Sequence, residues 1–374
     1  MKIVFISRYQ GKVERGVENY VKELGERLSG KHQVEILTSA WQLLGNQKRP
    51  GLPVGERPGL KIIYPLNGYW QSLGCRIYSW LTDAKLVLGG HAGIGRDDRW
   101  NLYMFPDLFI AFSQKGFDWA KKVNPFIKIV KIYHGVNLEK FNQNVKSAEL
   151  DLEKPRFVVA SNLVEYKRVK ETVRAVAKLK KGSLLILGEG PLEKEIDELG
   201  NQLLNNSSSR AKRGDLIDNE IATSPACISY AESIAGRRTP RNDYKQNRYL
   251  RLKVPHGEMP EYLNSCDVFT LVSEESEAFG LVYLEALACN LPIVATDDSL
   301  RRELIGDHAA IRLSAESRRA SAGILVKNPE NIGEYANALE LAAKIDWGDK
   351  PVNQAKKFGW GKIEEKYLDQ FKGI

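Results

Sequence analysis

The sequence is poor in cysteine and has no long apolar run. Among its 374 residues are four cysteines, which lie far apart and never in a C-x-x-C spacing: Cys75, Cys227, Cys266 and Cys289. Four scattered cysteines are too few for a disulfide framework in a chain of this length. No apolar stretch approaches the roughly 20 residues that a membrane-spanning helix needs. We therefore expect reduced cysteines and a cytoplasmic protein.

Several signatures of nucleotide and metal chemistry are also missing. The chain has no G-x-G-x-x-G, which argues against a nicotinamide enzyme, and no G-x-x-x-x-G-K-[ST] loop. It has no His/Cys cluster with zinc spacing and no D-x-D pair of the kind that holds a divalent cation. The sequence therefore predicts no metal site and no bound cofactor.

Positive charge is concentrated in the first part of the chain. Residues 1–150 contain 22 Lys and Arg against 13 Asp and Glu, so their net charge is 22 − 13 = +9 and the other residues sum to 8 − 9 = −1. A basic region attracts nucleic acid, anionic lipid or a phosphorylated substrate, although solvated surface lysines give the same composition. No nucleic-acid motif accompanies the charge. We expect no nucleic-acid partner and keep an anionic membrane surface as a candidate.

Apolar patterning predicts two units in which strands and helices alternate. Strands are predicted at 2–7, 33–38, 60–64, 86–88, 108–112 and 127–133, with helices at 16–28 and 115–122. After a polar linker at 142–155, strands follow at 157–160, 183–187, 268–272 and 293–296, with helices at 170–179, 192–199 and 281–288. This alternation is typical of parallel sheets. We predict an α/β fold with Rossmann-like domains at 1–150 and 151–354.

Two polar stretches interrupt this rhythm. The segment at 201–250 has 8 Lys and Arg and 5 Asp and Glu without periodicity, and we interpret it as a flexible insertion. A shorter insertion is predicted at 308–321. Neither is expected to carry chemistry.

The most informative motif lies between residues 273 and 296. Glu277 and Glu285 flank a Phe279-Gly280 pair just ahead of an apolar helix. The free backbone N–H groups of that helix's first turn favour an anion such as a diphosphate. Carboxylates beside a diphosphate would bind sugar or ribose hydroxyls, which donate hydrogen bonds to them. The pattern favours a nucleotide-sugar over a bare nucleotide. The alternative is an N-capping acid followed by a solvent-facing helix Glu.

This motif resembles the Glu, seven residues, Glu pattern of retaining glycosyltransferases with the GT-B fold, the glycosyl transferases group 1. That family usually has Gly where Ala278 stands. The resemblance implies that Glu277 orients the transferred sugar and that Glu285 binds the ribose. It also implies donor-binding roles for the segment between them: Ala278, Phe279, Gly280 and Leu281.

The segment 161–168 resembles the family's diphosphate-binding loop, in which an Arg is followed five residues later by a Lys. Lys167 occupies the Lys position and Asn162 the Arg position, so Arg168 is the candidate substitute for the missing cation. By the same resemblance, Gly188 lies in the turn after the next strand and Val254 in the loop that holds the base. We predict Lys167 as a catalytic residue and the other four as donor-binding residues.

In the first unit, Gly16 resembles the glycine loop that faces the donor phosphates, with Arg15 where a second Gly is common. His91 stands where the family often has a cleft histidine, and we predict that it binds a sugar hydroxyl or places the acceptor; a loop histidine satisfied by a carbonyl is the alternative. Asp97 and Asp98 are interpreted as exposed turn acids. The histidines at 32, 256 and 308 are interpreted as surface residues without a function.

The resemblance implies a GT-B architecture, in which two domains face across a cleft and a C-terminal helix at 355–374 packs back on the first domain. It implies a metal-independent, retaining hexosyltransferase that uses a nucleoside diphosphate sugar and front-face attack by the acceptor. The acceptor would be a small molecule, a sugar or a lipid-linked precursor of cell envelope polysaccharide, reached at the inner membrane face. Two alternatives stay open. They are a nucleotide-sugar-binding protein without turnover and a nonhydrolysing nucleotide-sugar epimerase.

Overall fold

The computed structural model describes residues 1–8, 16–45, 61–66, 68–91, 93–205, 247–274, 279–306 and 321–374. These residues form two six-stranded sheets in which the strand pairs are parallel. Helices connect the strands, so the predicted α/β fold with two Rossmann-like units is confirmed. No helix in the described ranges is both long enough and apolar enough to cross a bilayer.

The first sheet has the strand order β2-β1-β3-β4-β5-β6. Its elements are β1 (Lys2–Ile6), α1 (Gly16–Ser29), β2 (Gln33–Leu37), α2 (Gln42–Gly45), β3 (Lys61–Pro65), α3 (Trp70–Leu81), β4 (Lys85–Gly89), α4 (Arg96–Tyr103), β5 (Leu108–Ala111), α5 (Gln114–Val123) and β6 (Ile129–Lys131). The central strands are buried on both faces, as parallel strands covered by helices are. Helix α1 buries Tyr20, Val21, Leu24 and Leu28, whose spacing of three and four places them on one face.

The second sheet has the order β12-β11-β10-β7-β8-β9. Its elements are β7 (Arg156–Ala160), α6 (Val169–Lys178), β8 (Ser183–Leu187), α7 (Glu193–Gly200), β9 (Tyr249–Leu252), α8 (Met259–Asn264), β10 (Val268–Leu271), α9 (Leu281–Ala288), β11 (Ile293–Thr296), α10 (Ser299–Ile305), β12 (Gly323–Val326), α11 (Ile332–Lys344), α12 (Lys350–Ala355) and α13 (Trp360–Lys372). Side-chain caps fix several helix starts. Asp298 accepts from Arg301 N before α10, and Asn331 accepts from two backbone N–H groups of α11.

The C-terminal helix α13 packs back against α1, as predicted. The Tyr20 hydroxyl donates to Tyr367 Oη at 2.7 Å, and both side chains are buried. Just before α13, Val136 N donates to Phe358 O at 2.9 Å. A Cβ added at Gly135 would lie 2.3 Å from the Trp360 ring, so that only glycine fits where the chain crosses the helix start.

The described structure corrects several sequence interpretations. The apolar pattern predicts no helix at 70–81 or 96–103, where the structure has α3 and α4. Asp98, interpreted as exposed, is 1% exposed within α4, whereas Asp97 is exposed and accepts from the Tyr69 hydroxyl. The predicted insertion at 201–250 is too long at both ends, because 201–205 form a π-helical turn and Tyr249 lies in β9. Residues 206–246 and 307–320, which hold the rest of both predicted insertions and His308, lie outside the described residues.

A carboxylate joins the two domains at one side of the cleft. Glu303 on α10 accepts from Gln114 N at the start of α5 at 3.0 Å and from the Tyr133 hydroxyl at 2.5 Å. Lys131 Nζ lies 3.7 Å from the same carboxylate. We call this group the Glu303 clasp.

Candidate functional site

The predicted donor residues collect at the carboxyl ends of β7, β8 and β10. Parallel strands bring the loops that follow them to one sheet edge, which is where α/β proteins bind ligands. Helix α9 starts here after Gly280, whose φ of 77° is left-handed and therefore suits glycine. The first-turn N–H groups of this eight-residue helix open toward the same edge. Glu277 and Ala278 lie outside the described residues.

Glu285, in the second turn of α9, is 9% exposed and hydrogen-bonded. His256 Nε2 lies 2.7 Å from Glu285 Oε1, and His256 Nδ1 lies 2.9 Å from Lys140 Nζ. The interpretation of His256 as a surface residue is therefore wrong, because both of its ring nitrogens contact other side chains. Its side chain lies between the predicted ribose-binding carboxylate and a lysine of the segment that joins the domains.

The loop that carries Lys167 is joined to the loop that leads to α9. Glu274 N donates to Tyr166 O at 2.8 Å, which holds the two loops edge to edge. Lys167 ends a short 3-10 turn, and its Nζ lies 5.3 Å from the Tyr166 ring centroid. Arg168 follows in a left-handed conformation, with φ 51°, and its Nη2 lies 3.2 Å from Glu330 Oε1. Arg168 is thus already paired with an acidic residue.

Asn162 and Gly188 lie in two loops that press against each other. Leu163 N donates to Glu189 O at 2.9 Å, and a Cβ added at Gly188 would lie 1.9 Å from Ser161 O. Gly188 has φ 154°, so both its conformation and its surroundings require glycine. Asn162 is exposed. Val254, partly buried, follows β9 in the loop that also carries His256.

The first domain approaches this edge from across the cleft. A Cβ built on Gly16, the first residue of α1, would lie 3.6 Å from Leu281 Cδ1, the first residue of α9. The Phe279 ring, 3% exposed, lies 4.7 Å from the His134 ring of the first domain. The structure therefore brings Gly16, Phe279, Gly280 and Leu281 together. Arg15 lies outside the described residues.

His91 sits in an aromatic cluster of the first domain. Its Nε2 lies 3.2 Å from Tyr64 Oη, and its ring lies 4.6 Å from Phe112 and 5.7 Å from His134. Burial lowers the pKa of His91 to about 3, and burial together with the charge of His91 lowers the pKa of His134 below its usual range. Both imidazoles are therefore neutral near pH 7 and each offers one donor and one acceptor.

Sequence reasoning missed two further residues at this edge. His134 is 5% exposed and stacks on Phe112 with ring centroids 4.0 Å apart. Arg301 is fully buried and donates to Asp298, to Ser273 Oγ and to a backbone carbonyl of the loop before α9. Asp298 is only three residues away in the chain, but Ser273 and the carbonyl of Glu274 are 28 and 27 residues away, so local spacing does not show that Arg301 is buried.

A cavity that is partly open to solvent lies between the domains beside His91's loop. Its lining includes Gly90, Lys115 and Trp119 of the first domain and Asp298 and Ser299 of the second. Within the ranges that the structure covers, no group of three or more His, Cys, Asp or Glu side chains is arranged to hold a metal ion.

Part of the chain matches a described family and curated proteins. Residues 244–358 match the family "Glycosyl transferases group 1". Two D-inositol 3-phosphate glycosyltransferases are similar over a short segment: that of Paenarthrobacter aurescens (strain TC1) is 31% identical over 120 residues and that of Kineococcus radiotolerans 30% over 124. These segments cover 31% and 32% of this chain and 26% and 27% of those proteins, about a quarter of their length.

Solved structures match the whole chain at low sequence identity. Sucrose-phosphate synthase from Thermosynechococcus elongatus superposes with a TM-score of 0.71 and 16% identity, covering 100% of this chain and 98% of its own. HepE of Anabaena, in complex with UDP and glucose, gives 0.64 and 16%, covering 100% of both chains. At such identities the likeness establishes the fold. The chain thus has the two-domain GT-B fold, and its residues 244–358 are similar to the glycosyl transferases group 1 family.

Proposed function

We propose that this chain is a retaining glycosyltransferase that moves a hexosyl group from a nucleoside diphosphate sugar to an acceptor hydroxyl. The observation that carries the proposal is the meeting of Gly16, the Lys167 loop and the start of α9 with Glu285 at one edge of the cleft. The group 1 domain and the structures of HepE with UDP and with UDP-glucose support a nucleotide-sugar donor.

The reaction breaks the bond between the anomeric carbon and the diphosphate. Negative charge then grows on the β-phosphate, so donors fixed around it stabilise the transition state more than the ground state. Lys167 and the first-turn N–H groups of α9 supply these donors. Glu285 binds the ribose, and Glu277 orients the transferred sugar. The acceptor oxygen attacks from the face that the diphosphate leaves and its proton passes to the leaving phosphate oxygen, which retains the configuration without a metal or cofactor.

The acceptor occupies the cavity beside His91. Because His91 is neutral, it is able to accept a hydrogen bond from an acceptor hydroxyl or donate one to it. Lys115 and Ser299 line the cavity from opposite domains and are placed to contact a polar acceptor. Residues of both domains line the cavity, as an acceptor site between the domains requires.

The test compares Glu285→Ala and Lys167→Ala with the wild type. Donor turnover and nucleoside diphosphate release are measured with UDP-, GDP- and ADP-sugars, after thermal-shift screening identifies the donor. Lys178→Ala on the exposed side of α6 is the matched control. Unchanged rates in both site variants would refute the mechanism. Donor binding without release would instead favour a nucleotide-sugar-binding protein, and products formed without an acceptor would favour the epimerase.

We infer further that the first domain rests on an anionic membrane at the cytoplasmic face. Of 13 large apolar side chains exposed in the described residues, 12 lie between residues 36 and 126. Helix α3 is the clearest case, since Trp70, Ile77 and Trp80 face solvent while the polar Gln71 and Ser79 are buried. An apolar outer stripe on a basic domain is typical of a helix that lies in a membrane interface.

This surface is defined by α3 and its neighbour α4. We call it the aromatic face, formed by Tyr69, Trp70, Ile77, Trp80, Leu81 and Trp100. The rings of Tyr69 and Trp100 lie 6.2 Å apart and join the two helices. Pairing two copies here would bring two domains of charge +9 together, whereas anionic lipid would neutralise that charge. A membrane is thus the favoured occupant, and the acceptor class it implies is a lipid-linked envelope polysaccharide precursor.

A further inference from the structure

We propose that His256 and Lys140 are positioning residues that hold Glu285 in its ribose-binding orientation and connect it to the first domain. The inference rests on the proposed function, because it deepens the role assigned to Glu285. The resemblance gives neither side chain a role, because His256 is only a neighbour of Val254 in the base-binding loop and Lys140 lies in the segment that joins the domains. They are brought to the site by the fold, 116 residues apart in the chain.

The hydrogen-bond directions in this chain of three side chains are determined. A lysine ammonium has donors only, so Lys140 Nζ donates to His256 Nδ1, 2.9 Å away. The imidazole therefore carries its proton on Nε2, which donates to Glu285 Oε1 at 2.7 Å. Lys140 fixes the tautomer, and the tautomer fixes the rotamer of the carboxylate.

Glu285 needs such a partner because it is nearly buried. A carboxylate removed from water is costly unless it is hydrogen-bonded, and its side chain is 12% exposed. Each carboxylate oxygen accepts two hydrogen bonds, so His256 leaves room for ribose hydroxyls on the same group. A carboxylate held in one rotamer loses less side-chain entropy when the ribose binds.

Lys140 in turn is anchored to the first domain. Asn137 Oδ1 accepts from Lys140 N at 3.1 Å, and Asn137 Nδ2 donates to Glu23 of α1 at 3.1 Å. Phe141, buried, packs against the His256 ring with centroids 5.3 Å apart. A continuous set of contacts therefore runs from α1 through Lys140 and His256 to Glu285. Rotation of the domains about this segment changes the support of the ribose-binding group.

The experiment measures binding of UDP, GDP and ADP by calorimetry and then compares the tightest of them with its 2′,3′-dideoxy form. His256→Gln keeps an N–H at the reach of Nε2, whereas His256→Asn is too short to contact Glu285. Lys140→Met removes the donor to Nδ1. Lys146→Met, exposed on the same connecting segment, is the matched control, and Glu285→Ala is the reference for loss of the carboxylate.

We expect His256→Asn to weaken diphosphate binding about tenfold, the scale of one hydrogen bond to a charged group. Lys140→Met should weaken diphosphate binding about threefold. Without the lysine, the imidazole proton is on Nε2 only part of the time, so the hydrogen bond to Glu285 is weakened but not lost. His256→Gln should restore most of the affinity, and Lys146→Met should match the wild type. These losses of affinity should disappear with the dideoxy probe, which has no ribose hydroxyls to bind. In a separate turnover assay of the proposed transfer reaction, kcat of the His256 and Lys140 variants should change little.

Two results would overturn the inference in different ways. Wild-type affinity in His256→Asn and Lys140→Met, with a large loss in Glu285→Ala, would remove the positioning role and leave the proposed function intact. Equal losses for the ribose and dideoxy probes would show that His256 acts on the fold of the loop rather than on Glu285. If no diphosphate binds, or Glu285→Ala binds as the wild type does, the proposed function itself fails.

Discussion

Removing two tryptophans from the aromatic face should release the protein from anionic membranes. Trp70 and Trp80 are 80% and 68% exposed on α3. An aromatic side chain offers about 200 Å² of surface, so full burial of those fractions at about 25 cal/mol/Å² would be worth about 4 and about 3 kcal/mol. Insertion into the interface covers roughly half of this area. The loss is then about 3.5 kcal/mol, so the Trp70→Ser/Trp80→Ser double variant should bind about 300-fold more weakly.

The assay is cosedimentation with sucrose-loaded vesicles, made with phosphatidylglycerol or with phosphatidylcholine alone. Phe126→Ser is the matched control, because Phe126 is 87% exposed in the turn between α5 and β6 of the same domain. Binding of the wild type should fall as salt rises, since lipid charge contributes to it. The reasoning is refuted if the double variant pellets like the wild type, if the control loses as much, or if salt has no effect. A dimer that dissociates in the double variant would identify a second copy as the occupant.

Three other predictions concern the donor loop, the histidines and the C-terminal helix. Asn162→Arg should tighten nucleoside diphosphate binding about fivefold, because a second cation at this exposed loop position would contact the diphosphate; calorimetry showing no gain contradicts this. Stability should fall as pH drops from about 6.5 towards about 3, since the unfolded state protonates His91 and His134 while the fold keeps them neutral. The His91→Gln/His134→Gln variant should show a flatter melting temperature over this range, and an equal slope would disprove it. Tyr367→Phe should lower the free energy of unfolding by about 1–2 kcal/mol, because the buried Tyr20 hydroxyl loses its 2.7 Å acceptor and keeps only the longer contact with Tyr64 Oη at 3.5 Å; urea denaturation, with the exposed Tyr103→Phe as control, measures it.

The fold was predictable where burial and pattern agree. Strands such as β7 and β8 are short apolar runs bounded by polar residues, and α1 has a single apolar face. Helix α3 gives no such signal, because Trp70, Ile77 and Trp80 face solvent while polar residues such as Ser72 are buried together with Cys75 and Tyr78. Helix α4 starts after Gly95 in a stretch rich in glycine and aspartate, which favours a loop by composition.

Only the site residues that lie in sequence motifs were predictable. Gly16, Lys167 and Glu285 lie in segments that resemble a known pattern, and the structure places them at one cleft edge. His256 follows a proline and precedes a glycine and a glutamate, a context typical of surface loops. Its partners lie 29 and 116 residues away, so local spacing cannot reveal them. Two of the partners of buried Arg301, Ser273 and the carbonyl of Glu274, are also distant in the chain.

The Glu303 clasp bears on how easily the two domains separate. Its carboxylate bonds Gln114 and Tyr133 of one lobe while its helix belongs to the other, so any widening of the gap breaks both bonds in the same motion. Charge-assisted bonds of this kind are worth about 1.5–3 kcal/mol each. That is enough to favour the closed arrangement of the lobes, yet small enough for thermal opening, which under the proposed function would release nucleoside diphosphate and admit donor.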